Sequence, residues 1–529
     1  MKQKADAILL GKKIYTLNDS IPITEAVAID KGKIIGTGSK EELLSRFQPA
    51  NIIEAGNAFV YPGFIDAHCH FYGLARGLKW VDLVGCTSFE EVLDRISRAG
   101  ADKAEWITGR GWDQNLWENR KFPTKEKLDL LFPDRPVALV RIDGHVLLAN
   151  QVALDRAGID KNHHFSVGEV EIVKGKLTGI LCENAADFLR NNIPKPTKGA
   201  LVDLLRKAQH QCFSVGLTGV SDAGLEHDIL KLLDSIQQQS DLKLHIYAMI
   251  EPSGDNIREY LRRGPFKTDR LNICSVKLYA DGSLGSRTAL LKQPYSDDPS
   301  KTGIRVTSPD SIREICRLAF DHGYQVNTHC IGDSVNLIVL EIYGEFLQEK
   351  NDRRWRIEHA QVVDPADLPL FKAYSVIPSV QATHATSDMY WAGDRLGPER
   401  IRWAYAYKDL LEQNGWLANG TDFPIERINP LLTFYAAVAR QDLKGYPQGG
   451  FQMENALSRE EALKSITLWA AKANFDEDLY GSLEPGKWAD MVILDRDIME
   501  IPISEIPDVN VMKTFSHGEL VHIAGRTSR

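Results

Sequence analysis

Residues 64–70 read Phe64-Ile65-Asp66-Ala67-His68-Cys69-His70, an apolar run that ends in two imidazoles. Side chains alternate along a strand, so His68 and His70 face one side and Cys69 the other. Seven further runs share this texture: 215–224 (VGLTGVSDAG), 242–250 (LKLHIYAMI), 271–282 (LNICSVKLYADG), 324–330 (YQVNTHC), 354–361 (RWRIEHAQ), 376–383 (VIPSVQAT) and 416–424 (WLANGTDFP). Amphipathic stretches such as SIREICRLAFDHG and DSVNLIVLEIYGEFLQE lie between them, the alternation expected of βα units around a parallel sheet. Eight such units predict an α/β fold built on a (β/α)₈ TIM-like barrel, in which chemistry sits at the carboxyl ends of the strands.

Outside the eight runs the texture changes. Residues 1–60 and 476–529 read as short alternating strands cornered by Gly and Asp, among them DAILLGKKIYTL, AVAIDKGKIIGTGS, KWADMVILDRD and VMKTFSHGELVHIAG. Chain ends often lie close together, so the two stretches are expected to form one small β-sandwich domain. The barrel then takes 61–75 and 206–475. The segment 76–205 is too long for one βα connection and is expected to be an insertion after the first strand, forming a lid or wall over the barrel mouth. It contains the helical FEEVLDRISRAG, the Trp-rich WITGRGWDQNLW, the strand-like RPVALVRIDGHVLLAN and the hairpin-like GEVEIVKGKLTGIL.

The 529 residues exceed one ordinary core, and 43% hydrophobic with 26% charged residues is the composition of a folded globular chain. Sixty-three Lys and Arg against 72 Asp and Glu leave a net charge of -9 with no basic run, which argues against a nucleic-acid partner. The apolar stretch 5–10 is too short for a signal peptide or a membrane span. A cytoplasmic protein with no membrane partner is expected, and a homodimer is the base-rate assembly. Seven cysteines without a paired pattern read as reduced, mostly buried thiols.

Alone, the His-x-His triplet is a weak signal, since it arises by chance about 0.4 times in a chain of this composition. Three more runs end in metal-binding side chains, however: His329, His359 and Asp422. On a barrel all five converge at one end, where four imidazoles and a carboxylate suit Zn²⁺ or a similar divalent ion. Lys277 stands on the apolar run SVKLYADG and is directed inward, where a lone ammonium is costly. Two readings follow: an internal ion pair with Asp281 or Asp222, or a deprotonated amine that captures CO₂ and becomes a carbamate bridging two metals. Arg287, His384 and Asp388 follow later strands and are expected at the mouth, holding a carbonyl or an acid of the substrate. His145 and Glu183 of the insertion are expected to close over it, while Trp112 and Trp117 either form an apolar wall of the site or, the preferred reading, pack the insertion's own core. His163, His164, His210, His227, His322, His517 and His522 receive no role.

FIDAHCH, VKLYADGSLGSRTALL, THCIGD, IEHAQ, QATHATSD and NGTDFPI occur in this order. The ordered set resembles the amidohydrolase superfamily of metal-dependent barrel hydrolases, and more narrowly the YtcJ-like branch that includes the N-substituted formamide deformylases. The resemblance spans essentially the whole chain. It implies that His68 and His70 bind the more buried metal, that Lys277 is the carboxylated bridging lysine, and that His329 and His359 bind the second metal. Asp422 would touch the first metal and shuttle protons. One or two divalent ions, Zn²⁺ foremost, and a carbamate on Lys277 are thus implied.

The expected activity is hydrolysis of a non-peptide C–N bond in a small molecule: an amide, N-formyl, N-acyl or cyclic amide. Deamination and ester or lactone hydrolysis on the same barrel are the enzymatic alternatives. A non-catalytic scaffold is the remaining one, and the intact ligand set argues against it.

Overall fold

The computed structural model describes residues 2–99, 105–165, 169–194 and 196–525. Parts of the expected insertion (100–104, 166–168 and 195) and of the terminal stretches (1 and 526–529) lie outside the described residues. All eight expected strands form: β1 (Phe64–Cys69), β2 (Leu217–Leu225), β3 (His245–Ile250), β4 (Leu271–Tyr279), β5 (Gln325–Cys330), β6 (Arg356–His359), β7 (Ile377–Val380) and β8 (Ala418–Asn419). They pair in parallel and in chain order, and a two-residue strand, Phe266–Lys267, adds antiparallel to β4.

The intervening segments are helical as their periodicity requires. SIREICRLAFDHG becomes the helix Pro309–Asp321, which starts where Ser308 accepts a hydrogen bond from the Ser311 backbone and proline fills the first turn. DSVNLIVLEIYGEFLQE becomes Asp333–Leu347. Both helices bury their apolar rows against the barrel in the largest core cluster, which also takes in Cys69 and Cys330 as small hydrophobes.

The barrel closes just beyond β8. Asp422 N donates to His68 O at 2.8 Å, and His70 N donates to Phe423 O at 2.8 Å. Asp66, fully buried in β1, accepts from Thr421 N at 3.0 Å and from Thr421 Oγ1 at 2.6 Å. Gly420 makes this approach possible, because a Cβ there would lie 2.5 Å from His68 N and 2.6 Å from Asp66 Oδ1.

Both chain ends enter one eight-stranded sheet, joined where Met491–Leu494 pairs antiparallel with Phe59–Pro62. In the first strand, Gln3–Tyr15, Ile8 and Leu10 enter one apolar cluster while Leu9 enters another, so both faces are covered, as in a sandwich. Between β1 and β2 lies a separate six-stranded sheet made of Val81–Asp82, Ile107–Trp112, Val137–Arg141, Val146–Ala149, Lys176–Cys182 and Val170–Val173. Trp112 and Trp117 are buried in a core of this unit, and their indole N–H groups donate to Leu139 O and Cys86 O. All seven cysteines are unpaired and six are buried. Among the described residues no helix is long and apolar enough to cross a membrane.

The closure predicts an outcome for Gly420→Ala. Its methyl group must displace backbone at the β1–β8 seam, so we expect a loss of at least about 2 kcal/mol in stability, read by thermal unfolding, together with weaker metal retention because His68 moves with the seam.

Candidate metal centre

At the carboxyl ends of the barrel strands lies a cavity of about 690 Å³. His68, His70, Lys277, His329, His359 and Asp422 all line it, as do His145, His384 and Asp388. The rings crowd together: His329 and His359 centroids are 4.5 Å apart, and those of His68 and His359 are 4.9 Å apart.

Each of the four expected imidazole ligands has one nitrogen held by a protein oxygen. His68 Nδ1 donates to Glu358 Oε2 at 2.5 Å, His70 Nδ1 to Ala223 O at 3.3 Å, His329 Nε2 to Gly282 O at 3.1 Å, and His359 Nδ1 to Gln381 Oε1 at 2.7 Å. A carbonyl or carboxylate oxygen only accepts, so the engaged nitrogen carries the proton and the other keeps its lone pair. This is how metal-binding histidines are oriented. Burial is also the main cause that lowers the pKa of His68, His329 and His359 and keeps them neutral; the neighbouring Lys277 adds to it.

Asp422 completes the set, with Oδ1 3.2 Å from His70 Nε2 and 3.7 Å from His68 Nε2, and Oδ2 3.7 Å from His384 Nε2. Asp422 Oδ1 and His384 Nε2 are buried and make no hydrogen bond. Burial alone would raise the Asp422 pKa, but His70, His68 and His384 outweigh it and hold the carboxyl well below the usual range. Two donor groups, His68–His70–Asp422 and His359–His384–Asp422, each have ligand atoms within 4.8 Å of one another. The residues therefore fit a divalent cation on donor chemistry: imidazole nitrogens turned to the cavity and an ionised carboxylate, with Asp422 Oδ1 and His384 Nε2 left without a partner.

Lys277 is 1% exposed, and its Nζ is 3.3 Å from His68 Nε2. Neither ion-pair partner expected from sequence reaches it. Asp281 accepts from the backbone of Leu290, Ile331 and Gly332, and Asp222 accepts from Tyr72 N. Burial lowers the lysine pKa to about 8.

The remaining expected contacts divide. His145 Nδ1 donates to Glu183 Oε2 at 2.9 Å, and its ring stands 5.4 Å from that of His329. Burial disfavours its charge, but Glu183 and Asp143 outweigh burial and raise its pKa to about 9. Glu183 thus acts through His145 and is not itself in the cavity lining. Asp388 is bound by Tyr405 Oη at 2.8 Å, and burial raises its pKa to about 7. Arg287, expected at the mouth, is not there: its guanidinium turns to Asp297, with Nε and Nη2 at 3.0 and 2.8 Å, beside a separate small pocket. The ion pair with Asp297 satisfies this partly exposed cation.

Several contributors escaped the sequence reading. Glu358 is fully buried and orients His68, and its one visible signal was an acid within the strand RIEH. Arg141 is buried between Asp113 and Asp143 at 2.6 Å each, and Asp143 in turn accepts from Ser283 Oγ at 2.7 Å, which ties the inserted sheet to the loop after β4. His359, Ala360 and Asp422 have φ of 75, 43 and 59°. Such left-handed backbone in non-glycine residues is costly and gathers at functional sites.

A family model described as "Amidohydrolase family" matches residues 51–522. The chain belongs to this family. It is 32% identical to YtcJ of Bacillus subtilis, named as an amidohydrolase, over 98% of this chain and 99% of that one. It is 25% identical to the N-substituted formamide deformylase of Arthrobacter pascens over 98% of this chain and 99% of the relative. Among solved structures, a metal-dependent hydrolase from Pyrococcus horikoshii superposes with a TM-score of 0.78 at 32% identity, covering 94% of this chain and 99% of that one. This family membership and the donor set both indicate a divalent metal in the amidohydrolase cavity.

Glu358→Gln keeps an acceptor for His68 but removes its charge. We expect metal affinity to fall about 10- to 100-fold with the fold intact, measured by zinc titration against a competing chelator; unchanged affinity would show that the Glu358 charge does not tune the ligand.

Proposed function

We propose that the chain hydrolyses a C–N bond of a small-molecule amide, whether N-formyl, N-acyl or cyclic, at this metal centre. The observation that carries the reading is the convergence of four oriented imidazoles, Asp422 and Lys277 on one cavity. We infer that Lys277 is carboxylated, and that His68, His70, His329, His359, Asp422 and this carbamate hold zinc or a similar ion. A divalent ion there supplies Lewis acidity, which lowers the pKa of water and polarises a carbonyl oxygen.

The chain's own groups do the rest. Asp422 takes a proton from the attacking water and delivers it to the leaving nitrogen, without which an amine is a poor leaving group. Its position between His70 and His384 keeps it ionised and ready to accept. His145, cationic and braced by Glu183, offers a charged donor to a substrate oxygen beside His329. His384 and Asp388 line the same cavity and hold the rest of the substrate. Similarity along the full length to a relative named N-substituted formamide deformylase supports testing N-formyl amides first. The seven unpaired thiols suit a reducing compartment, so the proposal includes the cytoplasm as its setting.

Asp422→Asn tests the reading. On a panel of N-formyl, N-acyl and cyclic amides, the variant should remain folded by circular dichroism while kcat/KM drops about 10²- to 10⁴-fold; full turnover would overturn the proton-transfer role. Carboxylation has its own check. Metal-free protein reconstituted in CO₂-depleted buffer should retain less metal than protein given bicarbonate, and Lys277→Ala should abolish the difference. A wild type indifferent to bicarbonate would rule the carbamate out.

A further inference from the structure

A second group of metal-ligating side chains lies at the opposite end of the barrel. His245 is the first residue of β3, so it sits at the amino end, away from the cavity. Asp490 directly precedes the strand Met491–Leu494, and His517 occupies the turn between the strands Val511–Ser516 and Glu519–Ile523. The barrel contributes one of these residues and the chain-end sheet the other two.

Their donor atoms meet without satisfying one another. His245 and Asp490 are 2% and 3% exposed. His245 Nε2 and Asp490 Oδ2 are 2.7 Å apart, yet they are not aligned as a hydrogen bond, and neither they nor His517 Nε2 has a hydrogen-bond partner. Asp490 Oδ1 is already engaged by His517 N at 2.7 Å, leaving Oδ2 as the free acceptor. Aromatic neighbours fix both rings: His245 stacks on Tyr480 at 4.4 Å, and His517 on Trp488 at 3.8 Å. An ordinary ion pair between His245 and Asp490 accounts for two of the three atoms but leaves the His517 nitrogen buried and idle, which costs free energy.

We propose that His245, Asp490 and His517 form a structural site for Zn²⁺ or a similar borderline divalent ion that clamps the chain-end sheet to the foot of the barrel. Two imidazoles and one carboxylate are a donor set such ions accept. The three donor atoms lie within 4.8 Å of one another. Donors around one ion at about 2.0–2.2 Å each are up to roughly 4 Å apart, so closing the group takes a side-chain shift of under about 1 Å. Nearby cations are otherwise occupied: Arg270 donates to Ser516 Oγ and Lys243 O, and Lys33 lies over the Trp488 ring. Three protein donors leave a coordination position for water beside half-buried His517, so this ion should be held less tightly than those in the cavity.

The test compares wild type with His517→Gln, a variant outside the cavity. Both are stripped with chelator, titrated with Zn²⁺ and analysed for metal per folded chain. Wild type is expected to bind one equivalent more, as the weakest class, and filling that class should raise its melting temperature while leaving His517→Gln unmoved. Equal stoichiometry in two folded proteins overturns the proposal. Should His517→Gln fail to fold, anomalous diffraction at the zinc edge from wild-type crystals decides: a peak among His245, Asp490 and His517 supports the site, and a peak in the cavity alone refutes it.

Discussion

Everything in the cavity depends on the seam where β1 meets β8. Asp66 and Thr421 are 355 positions apart, and their hydrogen bonds, with those between Asp422, His68, His70 and Phe423, lock the last strand to the first. The same backbone bonds set His68 and His70 beside Asp422. Because Gly420 lets the backbones touch at this point, candidate donors from opposite ends of the barrel domain are placed by main-chain geometry, with little left to flexible side chains. A site placed in this way is pre-organised, which is what binding and catalysis at a metal require.

The second constraint is electrostatic. Four imidazoles packed with ring centroids 4.5 to 5.8 Å from their neighbours can be neutral together but not charged together. Burial keeps His68, His329 and His359 deprotonated, and carbonyl or carboxylate acceptors decide which nitrogen presents its lone pair. Inward lone pairs, together with an ionised Asp422, are costly in a dry cavity. A bound cation offsets that cost, which makes metal binding and the integrity of this end of the barrel two aspects of one balance.

The sheet inserted after β1 supplies much of the cavity wall, including Asp113, Arg141, Asp143 and His145. Arg141 is buried because two carboxylates share its charge, and Asp143 carries that network on to Ser283. The inserted segment thus brings residues far in sequence from the barrel's own donor side chains to the same cavity.

The eight strands, their order and the donor side chains that line the cavity were legible in the chain, because apolar alternation and strand-end histidines are local signals. Period-two alternation correctly put His68 and His70 on one side with Cys69 in the core. It gave no account of His359, which directly follows the inward-facing Glu358 and yet lines the same cavity, at a φ of 75°. Nor did it place Arg287, whose direction was decided by Asp297 ten residues on, or Glu358, whose partner is 290 positions away. His245 and His517 lie in unrelated stretches of sequence and meet only because the chain-end sheet docks beneath the barrel. Sequence by itself determined which elements form and which donor groups they carry, since those follow from neighbours along the chain. The tertiary structure alone decided which charges are paired, which nitrogens are free and which donors converge, because these depend on burial and on contacts between residues hundreds of positions apart.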